Sequence, residues 1–172
     1  MLYHFKTILP VQLQDQVALP KIQPTLSSCM YPEANIPVLQ LSIDYTKDPQ
    51  YHYDLSKELY NLRKKGVLII GSGNMVHNLR MVAWDKMDEP GYGFDWALKM
   101  NDTFKHLIEN ENHESLINYQ TLGKEGRLAI PTPEHYLPLL YSLALKGNKD
   151  DISFFNDRAV AGSLTMTSVK IG

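Results

Sequence analysis

The stretch GVLIIGSGNMVHNLR, residues 66–80, joins an aliphatic run to a glycine-containing turn and a single histidine. An unbroken aliphatic run such as VLII (67–70) is typical of a strand that is covered on both faces of a parallel sheet. Gly71 and Gly73 allow the backbone to turn sharply where this strand ends. Ligands bind at the carboxyl ends of strands in open α/β sheets. His77 is therefore either a reacting group or a histidine that hydrogen-bonds to a neighbouring loop.

The residues before this stretch predict a strand and a helix. The segment IPVLQLSID (36–44) is nearly continuous in apolar residues and predicts another buried strand. Asp48 and Pro49 form an N-cap followed by proline at the first helical position, and Gly66 ends the helix. One apolar stripe at helical spacing lies between them, formed by Tyr51, Leu55, Leu59 and Leu62. A strand, a helix and a strand in this order predict a βαβ unit with parallel strands.

The remaining sequence continues the alternation of helices and strands. Apolar spacing predicts a helix from Phe94 to Ile108, a short helix from His113 to Tyr119 and a helix that opens at Thr132. In SLTMTSVKIG (163–172), β-branched and polar residues alternate, which predicts a strand. We therefore expect an α/β fold with a mainly parallel central sheet flanked by helices. Residues 1–29 show neither period and are expected to form an irregular leader, with residues 30–172 forming the α/β domain.

Composition and charge restrict the classes of function. The 172 residues include 44% hydrophobic and 21% charged residues, with a net charge of −2. This charge gives no electrostatic reason to bind nucleic acid or an anionic membrane. No apolar run approaches the roughly 20 residues that cross a bilayer, and the N-terminus does not resemble a signal peptide. The lone Cys29 excludes an internal disulfide, so we expect a soluble protein of the reducing cytoplasm.

The segment PTPEHYLPLLYSL (131–143) is the second candidate for chemistry. Glu134 and His135 are predicted to lie in the first turn of a helix, where the helix dipole favours a carboxylate. An imidazole beside a carboxylate suits a non-haem iron or zinc site. The alternative is that both side chains lie on the surface and bind nothing.

The other reactive or aromatic side chains have simpler interpretations. His52 and His106 are predicted on solvated helix faces, and Cys29 is expected to be an inert thiol because no activating partner is apparent. Trp84 and Trp96 either wall a pocket for an aromatic ring or pack in the core. The GSG of residues 71–73 lacks the spacing of a phosphate-binding loop, so we exclude a nucleotide site.

Four separated blocks together resemble the class III extradiol ring-opening dioxygenases, in the branch of the 4,5-DOPA dioxygenases. The blocks are IPVLQLSID (36–44), GSGNMVHNLR (71–80), PTPEHYLPLLYSL (131–143) and GSLTMTSVKIG (162–172). The resemblance implies cleavage of catechols such as DOPA beside their two hydroxyls, with O2 and a non-haem Fe(II), or with Zn(II) in place of iron. It implies that His77 is a metal ligand or the catalytic base and that His135 is a metal ligand. Glu134 is the alternative ligand to His135.

The sequence also departs from this family. We find no counterpart of the family's HGSP, SAHW and DHGxW blocks, which supply two further metal histidines and a second active-site histidine. The chain thus resembles the C-terminal part of a dioxygenase. Two hypotheses follow. The first is an extradiol dioxygenase whose missing ligands come from His4 of the leader or from a second subunit. The second is a catalytically inactive truncated remnant or interaction module with an incomplete metal site. An unpaired apolar strand tends to pair with another chain, so we expect a homo-oligomer.

Overall fold

The computed structural model describes residues 31–33 and 36–172. The chain divides into two compact units, Met1–Ser42 and Ile43–Gly172. In the first unit, residues 36–42 have no regular secondary structure, and Ile36, Val38 and Leu39 are exposed. The leader predicted at residues 1–29 lies outside the described residues, so the predicted domain boundary stays a prediction.

The described helices and strands all belong to the second unit. Six α-helices are present: α1 (Pro49–Lys57), α2 (Tyr60–Arg63), α3 (Asp95–Glu109), α4 (His113–Ile117), α5 (Gly123–Ala129) and α6 (Leu137–Ala144). Three short 3₁₀ helices span Leu79–Met81, Trp84–Lys86 and Tyr119–Thr121. Four strands follow α6: β1 (Ile152–Phe155), β2 (Ala159–Val160), β3 (Leu164–Thr165) and β4 (Ser168–Ile171). Among these helices, none combines the length and the apolar character needed to cross a membrane.

The first helix begins and ends where local chemistry predicts. Asp48 is the N-cap of α1, and its Oδ1 accepts a hydrogen bond of 2.7 Å from the backbone N–H of Tyr51. Pro49 occupies the first turn, where its missing N–H costs nothing. The predicted helix is nevertheless interrupted between α1 and α2. Gly66, with φ of +79°, donates to the carbonyl of Arg63 and ends the helical segment.

Helices α3 to α6 enclose the hydrophobic core. Phe104 and Ile108 of α3 are fully buried against Leu116 of α4 and Leu140 of α6. The amphipathic spacing of α3 explains this burial, because its apolar side chains face inward while Lys99 and Asp102 face solvent. The helices predicted around Phe94–Ile108 and from His113 are confirmed.

The predicted mainly parallel sheet is not found among the described residues. The strands make two antiparallel pairs, β1 with β4 and β2 with β3. The parallel contact recorded among the described residues is an isolated bridge between Gly93 and Gly162. Residues 163–172, predicted as one strand, are divided into β3 and β4. The α/β prediction therefore holds only as helices accompanied by small sheets.

The predicted βαβ unit is also wrong in its strands. Residues 36–44 and 67–70 are irregular, and Val67, Leu68 and Ile70 are exposed. Within the described residues, neither segment hydrogen-bonds in a ladder. Aliphatic composition gives a segment the capacity to form a strand, but a strand also needs a neighbour that accepts its N–H and C=O groups.

The helix predicted to open at Thr132 begins five residues later, at Leu137. The backbone N–H groups of Tyr136 and Leu137 both donate to the carbonyl of Pro133 and close a turn. Pro138 then occupies the first turn of α6, as proline does at helix starts. Glu134 and His135 therefore precede the helix, and the expected effect of the helix dipole on Glu134 is lost.

Candidate active site

The loop that carries His77 is held between two distant parts of the chain. On one side, the backbone N–H of His77 donates to the carbonyl of Ala129 at 2.9 Å. On the other side, His77 and Leu164 form an isolated antiparallel bridge, and the N–H of Thr165 donates to the carbonyl of Val76. The loop is buried from Met75 to Asn78. The backbone that positions His77 is therefore fixed by tertiary contacts rather than by a regular strand.

The imidazole of His77 is only 4% exposed and has one satisfied nitrogen. Its Nε2 lies 3.0 Å from the carbonyl oxygen of Thr132. A carbonyl oxygen only accepts, so Nε2 carries the hydrogen in this arrangement. Nδ1 is buried and has no hydrogen-bond partner among the described residues. A neutral ring thus presents a free lone pair on Nδ1, which is what a metal ligand or a general base requires.

Burial lowers the pKa of His77, because the charged ring is poorly solvated there. The neighbouring His135 lowers it further. The Thr132 carbonyl, the Glu134 carboxylate and the backbone of Asn74 act in the opposite direction but do not outweigh burial. His77 is consequently neutral at neutral pH and able to accept a proton or bind a cation.

His135 lies beside His77 on the turn that precedes α6. The centroids of the two rings are 5.1 Å apart and their planes cross at 60°, an edge-on arrangement. His135 is exposed, and its backbone carbonyl accepts a 2.8 Å hydrogen bond from the N–H of Asn74. This bond ties the turn to the His77 loop. The two histidines expected at one site are therefore neighbours.

Glu134 is exposed on the same turn. Its Oε1 accepts a hydrogen bond of 2.7 Å from the hydroxyl of Thr132. This hydrogen bond is the main cause of the lowered pKa of Glu134, so the carboxylate stays charged. Glu134 contributes negative charge next to two imidazoles.

Gly73 is required by close packing rather than by a sharp turn. Its φ is not positive, but a Cβ at this position would lie 2.0 Å from the carbonyl oxygen of His135. Gly71 meets the carbonyl oxygen of Pro138 at 2.5 Å in the same way. The glycines predicted to turn the backbone instead let the loop approach the turn before α6 closely enough to join the two histidines.

The described residues fit only part of a metal site. Two imidazoles, one with a free buried nitrogen, are suitable donors for iron or zinc. However, the described part of the chain contains no group of three histidine, cysteine, aspartate or glutamate side chains placed to hold one ion. Catalytic zinc and non-haem iron sites need at least three protein ligands. His77 and His135 would supply two of them.

The structure corrects several assignments of other residues. His52 is fully buried, not solvated; its Nε2 donates to the carbonyl of Asp44 and its Nδ1 accepts from the hydroxyl of Tyr141. His106 is exposed as predicted. Trp96 is partly buried and stacks on Phe94 against the core, whereas Trp84 is 72% exposed and walls no pocket with it. Cys29 lies outside the described residues.

The sequence prediction missed the polar residues that support His77. Asn78 donates from Nδ2 to the carbonyl of Leu128 at 2.9 Å, and Asn74 donates from Nδ2 to the carbonyl of Thr165 at 2.8 Å. Ser163 is fully buried and bonds to Asn78. The only local signal was that both asparagines lie in the same loop as His77. Their partners are distant in sequence and could not be identified from it.

Comparison with known proteins identifies the family to which the chain is similar. Residues 27–162 match the family described as the catalytic LigB subunit of aromatic ring-opening dioxygenase. The chain is 41% identical over 147 residues to the 4,5-DOPA dioxygenase extradiol of Escherichia coli K12, and 34% identical over 148 residues to that of Portulaca grandiflora. Each match covers 83% of this chain and 52% of the relative. The chain therefore spans about half the length of these relatives.

A solved structure shares the fold. The crystal structure of an uncharacterised protein from Escherichia coli K12 superposes with a TM-score of 0.77 at 39% identity. The match covers 86% of this chain and 60% of that chain. With the family match over most of the sequence, these similarities confirm the predicted resemblance: the chain belongs to the LigB family of aromatic ring-opening dioxygenases.

Proposed function

We propose that this chain provides the His77 and His135 side of an extradiol dioxygenase centre that opens catechols such as DOPA with O2. The observation that carries the proposal is the pair of adjacent imidazoles, one of which has a buried nitrogen without a partner. Relatives named 4,5-DOPA dioxygenase extradiol support the substrate class.

The proposed centre holds a non-haem Fe(II) or Zn(II) through His77 and His135, with Glu134 as the alternative to His135. When bound, Fe(II) would supply the Lewis-acid and redox chemistry of ring opening, whereas Zn(II) would supply Lewis acidity alone. The remaining ligand or ligands come from His4, which lies outside the described residues, or from a second subunit. Glu134 adds negative charge that favours a cation at this position.

The chain's own contribution to the chemistry is proton handling by His77. A neutral, buried imidazole with a free Nδ1 can take the proton of a catechol hydroxyl and return it later. The hydrogen bond from Nε2 to the Thr132 carbonyl keeps the ring from rotating and would stabilise the charged form once the proton is taken. Whether His77 acts as ligand or as base, the same nitrogen is used.

A second function is supported by a specific observation. Because the described residues contain no group of three ligands for one ion, the chain is alternatively a non-catalytic interaction module of the LigB family. Such a module keeps the fold and the histidine pair but has an incomplete metal site.

Metal analysis and a reconstituted assay separate the two functions. The full chain is loaded with Fe(II) without oxygen and then given DOPA or catechol in aerated buffer, and both O2 uptake and the yellow ring-opened product are measured. We expect product, and a loss of at least about a hundredfold in His77→Ala, the scale of a general base. His106→Ala, an exposed histidine of α3, is the matched control and should retain activity.

The outcomes are distinct. No bound metal together with no product would contradict the dioxygenase and leave the interaction module. Product that survives His77→Ala would show that another residue handles the proton.

We also propose that the chain is a homo-oligomer. Residues 67–70 expose Val67, Leu68 and Ile70 on an irregular segment that forms no ladder with other described residues. A second copy always offers the same edge, and antiparallel pairing about a two-fold axis would satisfy both copies at once. A cytoplasmic location and the lack of nucleic-acid binding remain predictions from composition.

A further inference from the structure

Ser163 and Asn78 bind each other through two hydrogen bonds. The backbone N–H of Asn78 donates to the carbonyl of Ser163 at 3.1 Å, and the hydroxyl of Ser163 donates back to the carbonyl of Asn78 at 2.7 Å. Ser163 is 0% exposed, so this hydroxyl has no water to replace its acceptor. Asn78, which follows His77, is thus hydrogen-bonded to both the backbone and the side chain of Ser163.

The other side of the loop is held by backbone carbonyls. His77 N–H donates to Ala129, and the Asn78 side chain donates to Leu128. The Ser163 hydroxyl adds a third hydrogen bond, to the carbonyl of Asn78 directly after the histidine. We call these three hydrogen bonds the clamp. The hydrogen bonds of Ser163 are with Asn78, whereas the His77 ring bonds to the Thr132 carbonyl, so Ser163 acts on the ring only through the loop.

The position of the ring depends on this clamp. The Nε2 hydrogen bond to Thr132 selects the tautomer that leaves Nδ1 free, and it exists only while the loop keeps its distance from the turn before α6. A change in the position of the loop would therefore lengthen or break this hydrogen bond and release the tautomer that it selects.

We propose that Ser163 is a positioning residue for His77, which holds the loop so that Nε2 bonds to Thr132 and Nδ1 keeps its lone pair for the site. The importance of Ser163 to a metal centre rests on the function proposed above. The orientation and tautomer of the His77 ring do not depend on that function, and both can be measured without metal or substrate.

A matched pair of variants separates positioning from stability. Ser56 is also 0% exposed, and its hydroxyl donates to the carbonyl of Tyr141 at 2.7 Å, far from His77 in sequence and between other elements. Ser163→Ala and Ser56→Ala each remove one buried hydroxyl-to-carbonyl hydrogen bond of the same length. We expect similar decreases in Tm for the two variants.

The deciding measurement is the ¹⁵N NMR spectrum of the histidine rings in the metal-free full chain. The signals of the His77 ring are assigned as those that are missing from the spectrum of His77→Ala. In the unsubstituted protein we expect a neutral His77 with hydrogen on Nε2. Ser163→Ala should change this pattern towards mixed tautomers or a hydrogen on Nδ1, and Ser56→Ala should not. Zn(II) affinity, measured by competition with a chelator, should fall about 10- to 100-fold in Ser163→Ala alone, the usual effect of losing an outer-shell support.

Each result decides the proposal. A His77 spectrum that Ser163→Ala leaves unchanged, or hydrogen on Nδ1 in the unsubstituted protein, would overturn it. A changed spectrum in a protein that forms no ring-opened product would support the positioning role and contradict only the dioxygenase. If Ser163→Ala does not fold, Ser163→Gly also removes the hydroxyl, and the same two outcomes apply to it.

Discussion

Three histidines, His52, His77 and His113, differ in how their ring nitrogens are satisfied. Both nitrogens of His52 have partners, the Asp44 carbonyl and the Tyr141 hydroxyl. His113 bonds through Nδ1 to the hydroxyl of Tyr53 at 2.6 Å, and its Nε2 has no partner among the described residues. Burial lowers the pKa of all three rings. The complete satisfaction of His52 marks it as structural, whereas His77 combines an unpartnered nitrogen with a second imidazole beside it.

The buried histidines predict that stability falls in mild acid. The pKa of His52 is lowered below its ordinary value of 6.5, mainly by burial, so the unfolded chain binds the proton more readily than the folded chain. The stabilisation is complete above pH 6.5 and is lost as pH falls from there through the lowered pKa. Urea unfolding between pH 8 and 5 should show this decrease.

The variant His52→Gln tests the assignment, because its amide can bond to both partners without titrating in this range. We expect a shallower pH dependence of the unfolding free energy, with His77 and His113 accounting for the remainder. His106→Gln, at an exposed position, is the control. An unchanged slope in His52→Gln would contradict the role given to this residue.

At the scale of elements, the turn that carries His135 is anchored by its neighbour in sequence. Tyr136 is 0% exposed, and its hydroxyl donates to the carbonyl of Leu116 in α4 at 2.8 Å. Its ring contacts those of Phe104 in α3 and Tyr119, with centroids 5.6 and 4.9 Å away. The turn before α6 is thereby attached to the centre of the helical core. The backbone of the exposed His135 is held in place because Tyr136, the next residue, is anchored there.

Tyr136→Phe is expected to destabilise the protein by about 1–3 kcal/mol, because it leaves the buried Leu116 carbonyl without its donor. Chemical denaturation measures the loss. Tyr45→Phe, at a residue that is 69% exposed, should change the unfolding free energy little. Equal effects of the two substitutions would show that the Leu116 hydrogen bond adds nothing.

At the scale of the whole molecule, the core of the second unit is well covered while the segment 67–70 is not. Leu68 is 59% exposed in the middle of that segment. Exposed aliphatic edges are sites where chains associate unless a charge or a covering element prevents it. This exposed surface is the observation on which the proposed homo-oligomer rests.

Leu68→Lys is therefore expected to convert the oligomer to a monomer, since a charge on the edge opposes pairing. Size-exclusion chromatography with light scattering gives the mass directly. Leu79→Lys, at a residue that is 62% exposed outside this segment, is the control and should leave the mass unchanged. A monomeric unsubstituted protein would contradict the proposed oligomer.

The amino-acid sequence by itself determined the features that depend on near neighbours. The Asp48 cap, the end of the helical segment at Gly66 and the amphipathic α3 followed from residues within a few positions of one another, since helical hydrogen bonds are local. The four sequence blocks likewise identified the family, and they predicted that His77 and His135, whose rings are neighbours in the structure, belong to one site. Tertiary structure alone decided which strands pair, whether His52 is buried, and that Ser163 and the Thr132 carbonyl hold the His77 loop and ring. These contacts join residues far apart in sequence. A pattern of hydrophobicity indicates that a segment is buried, but it does not indicate which distant residues cover it.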